Sequence, residues 1–228
     1  MASTTGYLPG PERSRAGRTL AGGSDRPRYT RRTLLLRVLF VCTGNICRSP
    51  IAHGLLVDRA ARLGDGAIEV RSSGTWGRTG SPATPEAVAA AGQLGIDIER
   101  HRSSRFTDEL ARWADLVVTM TTEQAEEVRE LSPDAASKTF TLKELVAILR
   151  TLPPADTRLT RETLLDRVSE ADRVRSSDHV PPIDLDVADP LGLSETVYRA
   201  VASELEGLVD ELVRGIVGQG DGALASGG

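Results

Sequence analysis

Cysteine is nearly absent: the 228-residue chain holds two, Cys42 and Cys47. That excludes a disulfide scaffold and a four-cysteine zinc site. Aromatic residues make up 4% of the chain, too few for a surface that stacks nucleobases. The formal net charge of −4 also argues against a general nucleic-acid binder, so no nucleic-acid partner is expected. No apolar run nears the ~18 residues of a membrane span, and no membrane association is expected. Of the 28 basic residues only Lys138 and Lys143 are lysines, a bias of coding rather than of function. A chain of this length corresponds to one domain of ~150 residues with extensions. It can bury roughly 70% of its unfolded surface without a covalent staple.

Residues 1–32 carry seven arginines against Glu12 and Asp25 and show no periodic apolar pattern. They read as a disordered basic tail. Thr30-Arg31-Arg32 ahead of Leu34–Leu36 looks like a twin-arginine export signal, but Arg37 interrupts the apolar run a signal needs. The domain spans 33–218, and the Gly/Ala/Ser-rich residues 219–228 read as a flexible C-terminus. Within the domain, Leu34–Val41 reads as a buried parallel strand. After a loop over 42–48, Ser49 as N-cap and Pro50 at the first helical position open a helix that Gly64 would end. Ile68–Ser72, Leu116–Met120 and Thr139–Leu142 read as further strands. Helices are expected from Thr84-Pro85 to Gly95, from Thr107 to Trp113, from a Thr122 cap to Leu131, and over 143–150. Val197, Val201, Leu205, Leu208, Leu212 and Ile216 form one apolar stripe on a last helix starting at Ser194. Strands alternating with helices predict an α/β fold: an open, mostly parallel four-stranded sheet with helices on both faces. Residues 151–186, edged by Pro153-Pro154 and Pro181-Pro182, break the rhythm and read as an insertion on the sheet's rim, loosely packed apart from a short helix around Leu164, Leu165 and Val168.

The informative stretch is Val41-Cys42-Thr43-Gly44-Asn45-Ile46-Cys47-Arg48-Ser49-Pro50. Cys42 falls at the carboxyl end of the first strand, where open α/β sheets bind ligands. A loop curled at a helix start points several amides inward and, with the helix dipole, makes a nest for a dianion. Thr43, Gly44, Asn45, Ile46, Cys47 and Arg48 would line it. Gly44 supplies a positive φ where the loop curls, and the planar fork of Arg48 suits two phosphate oxygens. The same field favours the thiolate of Cys42, the form that attacks phosphorus, and Ser49 can donate a hydrogen bond to it. No Gly-Lys-Ser/Thr ending is present, which excludes a Walker loop. Four residues between the cysteines exclude a redox CxxC. Asp189-Pro190, just ahead of the last helix, offers an acid: the proline restrains Asp189 to extended geometry, and its carboxyl could protonate a leaving group and later accept a proton from water.

With these motifs the chain resembles the low-molecular-weight protein tyrosine phosphatases over about residues 35–150 and 186–216. Ser72-Ser73-Gly74-Thr75-Trp76, Ala83-Thr84-Pro85, His101-Arg102 and Ala114-Asp115-Leu116-Val117 add to the likeness. The resemblance implies a phosphotyrosine phosphatase I-like, flavodoxin-like fold. It implies a metal-independent, cofactor-free phosphomonoesterase forming a phosphocysteine, with Cys42 as nucleophile, Arg48 as transition-state clamp and Asp189 as acid then base. Asn45, Ser49, Ser73 and His101 would form a hydrogen-bonded shell around the loop. Cys47 matches the second cysteine that can trap oxidised Cys42 as a disulfide. The implied partner is a phosphorylated protein, and reactive thiols point to the cytoplasm.

Two departures bear on the substrate. Tyrosine-specific members usually carry aromatics after the Asp-Pro pair, whereas Leu191 and Gly192 follow here; this part of the chain looks more like the bacterial branch that includes protein arginine phosphatases. Ile46 points the other way, being the bulky apolar residue of tyrosine-directed loops where arginine-directed relatives have Thr. Trp76 and Leu191 are the candidate substrate rim. Phosphotyrosine is the expectation, phosphoarginine the alternative, and a phosphate-binding module without turnover a second alternative.

Overall fold

The computed structural model describes residues 36–62, 68–155, 160–177 and 184–217. The N-terminal basic stretch with its arginine pair, Gly64, Pro181-Pro182 and the C-terminal stretch 219–228 lie outside the described residues. In chain order the elements are β1 (Leu36–Cys42), α1 (Arg48–Ala61), β2 (Ile68–Gly74), α2 (Pro85–Gln93), α3 (Asp108–Trp113), β3 (Leu116–Thr119), α4 (Thr122–Leu131), a 3-10 turn (Pro133–Lys138), β4 (Thr139–Thr141), α5 (Leu142–Thr151), α6 (Arg161–Arg175) and α7 (Glu195–Val217).

All four strands are parallel, in the order β2-β1-β3-β4. The fold is the open α/β sheet expected. Period-two alternation along β1 divides its side chains between two cores. Leu36, Val38, Phe40 and Cys42 face the larger one, built with α1, α2, α5 and α7; Leu39 and Val41 face a smaller one under α3, α4 and the 3-10 turn. With β2 on one side of β1 and β3 on the other, the order switches at β1, so the crevice for a ligand opens at the carboxyl end of that strand.

Three helix starts differ from the sequence reading. α1 begins at Arg48 with Cys47 in the cap position and no side-chain cap, because the Ser49 hydroxyl is engaged with Cys42 and Asn45 instead. α4 is capped by Thr121 rather than Thr122: Thr121 accepts from the Gln124 amide, and the Gln124 side chain answers the Thr121 amide. Thr141 and Glu144 form the same reciprocal capping box on α5, ending β4 one residue before the expected Leu142.

The segment expected on the rim carries a 15-residue helix, α6, that buries Leu164, Arg167, Val168 and Ala171. Arg161 grips both oxygens of Asp115 at 2.9 and 2.7 Å, Arg175 donates to the carbonyls of Thr139 and Ala136, and Arg167 donates to Gly215 at 3.0 Å. Asp115 precedes β3 and Thr139 starts β4, so α6 sits at the amino ends of the strands. That is the end of the sheet opposite the phosphate loop. The short helix expected around Leu164, Leu165 and Val168 is thus present but longer and more firmly held than its pattern indicates, because the apolar positions are few and the holding contacts are arginine to carbonyl and carboxylate.

Candidate active site

The loop between β1 and α1 is closed. Cys42 Sγ lies 3.0 Å from Ser49 Oγ, and the Asn45 amide donates to the sulfur at 3.2 Å. Asn45 is the hub. It is fully buried with φ of 53°. Its Oδ1 accepts from the Ser104 amide at 2.9 Å, which fixes the amide orientation, so Nδ2 faces Ser49 Oγ at 2.8 Å. That donation leaves the serine proton for the sulfur. The left-handed residue of the loop is therefore Asn45, not Gly44: an asparagine tolerates that conformation, and here its side chain is fully used by it. At Gly44 a Cβ would stand 3.2 Å from Ile46 Cγ1, a tight contact with a movable side chain.

The loop rests on β2. Register places Gly74 beside Cys42, where a Cβ would come 2.5 Å from the Thr43 carbonyl and 2.9 Å from the Asn45 amide. Thr75 and Trp76 amides donate to the carbonyls of Cys42 and Thr43 at 3.0 and 2.9 Å. His101 Nε2 meets the Asn45 carbonyl at 2.8 Å and so carries its proton there. Burial pulls this imidazole below its ordinary range against the opposing pull of that bond. Ser73 does not join the shell. Its buried Oγ has no hydrogen-bond partner among the described residues, and register sets it opposite Val41, one step short of Cys42. Ser104 and Gln124 do join it. Gln124 Nε2 donates to Thr43 Oγ1 at 3.0 Å.

Cys47 faces away from solvent, 3.5 Å from the Tyr198 hydroxyl and 3.7 Å from Thr84 Oγ1. Burial raises its thiol above the ordinary range, with the Tyr198 and Thr84 hydrogen bonds offsetting part of the shift. Burial likewise pushes Tyr198 up to about 12, so both groups stay neutral. Both cysteines are free thiols.

Arg48 is 3% exposed. Its two terminal nitrogens reach the Val187 carbonyl at 3.0 Å and Asp189 Oδ2 at 2.6 Å, while Nε has no partner among the described residues. Asp189 Oδ1 accepts from the Leu191 amide, so the Asp-Pro turn holds the carboxyl by both oxygens beside the arginine. Among the described residues, none accepts from the amides of Thr43, Gly44, Ile46 and Cys47. Loop amides without an acceptor, a buried guanidinium and a helix N-terminus, gathered at the end of β1, suit a tetrahedral anion. Trp76 and Leu191 are 67% and 56% exposed, as suits a rim. Trp76 is held by Glu127 at its Nε1 (3.1 Å) and by the Arg105 guanidinium over its ring.

The model of the family described as low molecular weight phosphotyrosine protein phosphatase matches residues 37–152. The chain belongs to this family. A protein-arginine-phosphatase of Geobacillus stearothermophilus is 35% identical over 176 residues, covering 77% of this chain and 93% of that protein. The low molecular weight protein-tyrosine-phosphatase Etp of Escherichia coli is 37% identical over 103 residues, 45% of this chain and 66% of that protein. The crystal structure of the low molecular weight protein tyrosine phosphatase from T. tengcongensis superposes with a TM-score of 0.60 at 33% identity, covering 78% of this chain and 98% of that one. The chain is thus a cysteine-dependent protein phosphatase. Asp189 lies beyond the segment matched by the family model, and its assignment rests on its pairing with Arg48. Among the described residues no helix is long and apolar enough to cross a membrane.

Proposed function

We propose that the protein hydrolyses phosphotyrosine in phosphoproteins through a phosphocysteine on Cys42. The loop amides and Arg48 bind the phosphoryl oxygens with sulfur beneath phosphorus. The thiolate forms an S–P bond as the P–O bond to the phenol breaks, and Asp189 gives its proton to the leaving oxygen. Water then attacks phosphorus, Asp189 takes a proton from it, and the S–P bond breaks to release phosphate and the thiolate. Ser49 and the Asn45 amide stabilise the sulfur anion at the start and end of the cycle. The ion pair between Arg48 and Asp189 supports this reading: it sets the proton donor at the mouth of the anion nest. A cycle that needs a reduced thiol places the enzyme in a reducing compartment, the cytoplasm.

Ile46 favours the aryl substrate. Its half-buried side chain leans over Gly44 and packs on the main core, giving the loop an apolar surface with no group to hydrogen-bond a guanidinium. Phosphoarginine is the second reading, favoured by the arginine phosphatases of G. stearothermophilus and Bacillus subtilis, which match 77% and 78% of this chain. Turnover of matched phosphotyrosine and phosphoarginine peptides decides between them. A higher kcat/KM on phosphotyrosine is expected, and preference for phosphoarginine reverses the assignment.

A further inference from the structure

The first turn of α4 touches both halves of the site. On one side, Gln124 Oε1 accepts from the amides of Met120 and Thr121 at 3.0 and 3.1 Å. With the oxygen so occupied, its Nε2 is turned to Thr43 Oγ1 at 3.0 Å, the residue after the nucleophile. Gln124 is 4% exposed, so this is a buried, oriented contact rather than a surface one. On the other side, Asp186 Oδ1 accepts from both the amide and the hydroxyl of Thr122, at 2.7 and 2.8 Å. This is a carboxylate at a helix start, favoured by the dipole and by two donors. The adjacent Val187 amide donates to the Met120 carbonyl at 2.8 Å. Val187 in turn offers its carbonyl to Arg48, and Asp189 follows two residues later. The Met120 amide closes the circuit on the Val41 carbonyl at 3.1 Å.

We infer that the β3–α4 turn sets the acid segment in register with the phosphate loop, with Asp186 and Gln124 as its positioning residues. The phosphate loop and the acid segment lie more than 130 residues apart in the chain, as the Arg48–Val187 separation of 139 shows. Neither is part of a strand that could align it with the other. α4 is a rigid element both can lean on. Asp186 fixes the path of residues 186–189 and through it the place of the Asp189 carboxyl. Gln124 fixes Thr43 and through it the curvature of the nest. The two residues therefore act on different halves of the reaction: Asp186 on proton delivery, Gln124 on anion binding.

This rests on the phosphocysteine reading, and one set of measurements separates the two. kcat/KM is measured on phenyl phosphate, whose leaving group needs the acid, and on nitrophenyl phosphate, whose leaving group needs it little. The inhibition constant of inorganic phosphate is measured alongside. Asp186→Ala is expected to lower the phenyl-to-nitrophenyl ratio by about tenfold, part of the 10²–10⁴ that a placed acid supplies. Phosphate inhibition should stay near the parent value, and Asp186→Asn, which keeps an acceptor oxygen for Thr122, should restore most of the ratio. Gln124→Glu keeps the capping oxygen but replaces the donor to Thr43 with an anion. It should weaken phosphate inhibition severalfold and leave the ratio unchanged. Equal loss on both esters in Asp186→Ala, or unaltered phosphate inhibition in Gln124→Glu, overturns the inference while the parent's own turnover upholds the chemistry. A parent inactive on both esters overturns both.

Discussion

Replacing Asn45 with alanine removes three things at one buried position. The Ser104 amide loses its acceptor, and leaving a buried donor unpaired costs about 1–3 kcal/mol. Ser49 loses the Nδ2 donor, a neutral bond of about 1 kcal/mol. A Cβ-bearing residue without a polar side chain is held at φ of 53°, which costs about 1–2 kcal/mol. The sum is about 3–6 kcal/mol, a large share of the 5–15 kcal/mol typical of a whole domain, so its upper end is near the limit of what the fold survives. Urea unfolding at constant m-value reads it as a lower midpoint, and thermal unfolding as a fall of about 10 °C for a domain of this size. Asn45→Gly supplies the control. It loses the same two hydrogen bonds but accepts the positive φ freely, and should recover about 1 kcal/mol relative to alanine. An alanine variant within about 1 kcal/mol of the parent would refute the hub role, and a glycine variant no more stable than alanine would refute the backbone part.

Gly74→Ala puts a Cβ 2.5 Å from the Thr43 carbonyl; the loop must move, with a cost of about 1–3 kcal/mol for overpacking and near-complete loss of phosphatase turnover, and an active, stable variant would contradict the close packing. His53 is held neutral by burial, to about 4, so its contribution is complete above about pH 6.5 and is lost as pH falls from there toward 4. The loss is at most about 3 kcal/mol by linkage. The imidazole signal in the folded protein should show no titration between pH 7 and 5, and a midpoint near the free value would exclude the effect. Asp189→Asn keeps a partner for Arg48 but has no proton to give, so phenyl phosphate turnover should fall by about 10²-fold or more and nitrophenyl phosphate far less; equal losses would remove Asp189 from the acid role.

The sheet and most helix bounds are legible because β1 (apart from Arg37) and β3 are apolar runs and α7 carries a regular apolar stripe, patterns that tertiary contacts did not override. The Cys42–Pro50 stretch was legible because glycine, arginine, serine and proline each had a local reason to be there. What was hidden came from long-range geometry. Gln124 looks like an ordinary solvated position on a polar helix, and only the turn of α4 against the phosphate loop gives its Nε2 a partner. Its spacing of three from Thr121 is a capping signal the sequence does carry, though the pattern says nothing of Thr43. Ser73 enters the expected shell only through the family resemblance, and its pairing opposite Val41 is a register that a single strand's sequence cannot show. The positive φ was assigned to Gly44 by residue type. It falls at Asn45 because that side chain, unlike hydrogen, can fasten the loop from within.

The central claim is a covalent phosphoryl–sulfur bond at Cys42. Rapid acid quench of the enzyme during turnover of nitrophenyl phosphate, followed by peptide mass analysis, tests it directly. The account predicts one phosphoryl group on the peptide carrying Cys42, absent after Cys42→Ala along with turnover. Phosphorylation found only on another residue, or a Cys42→Ala enzyme that still turns over substrate, would contradict it.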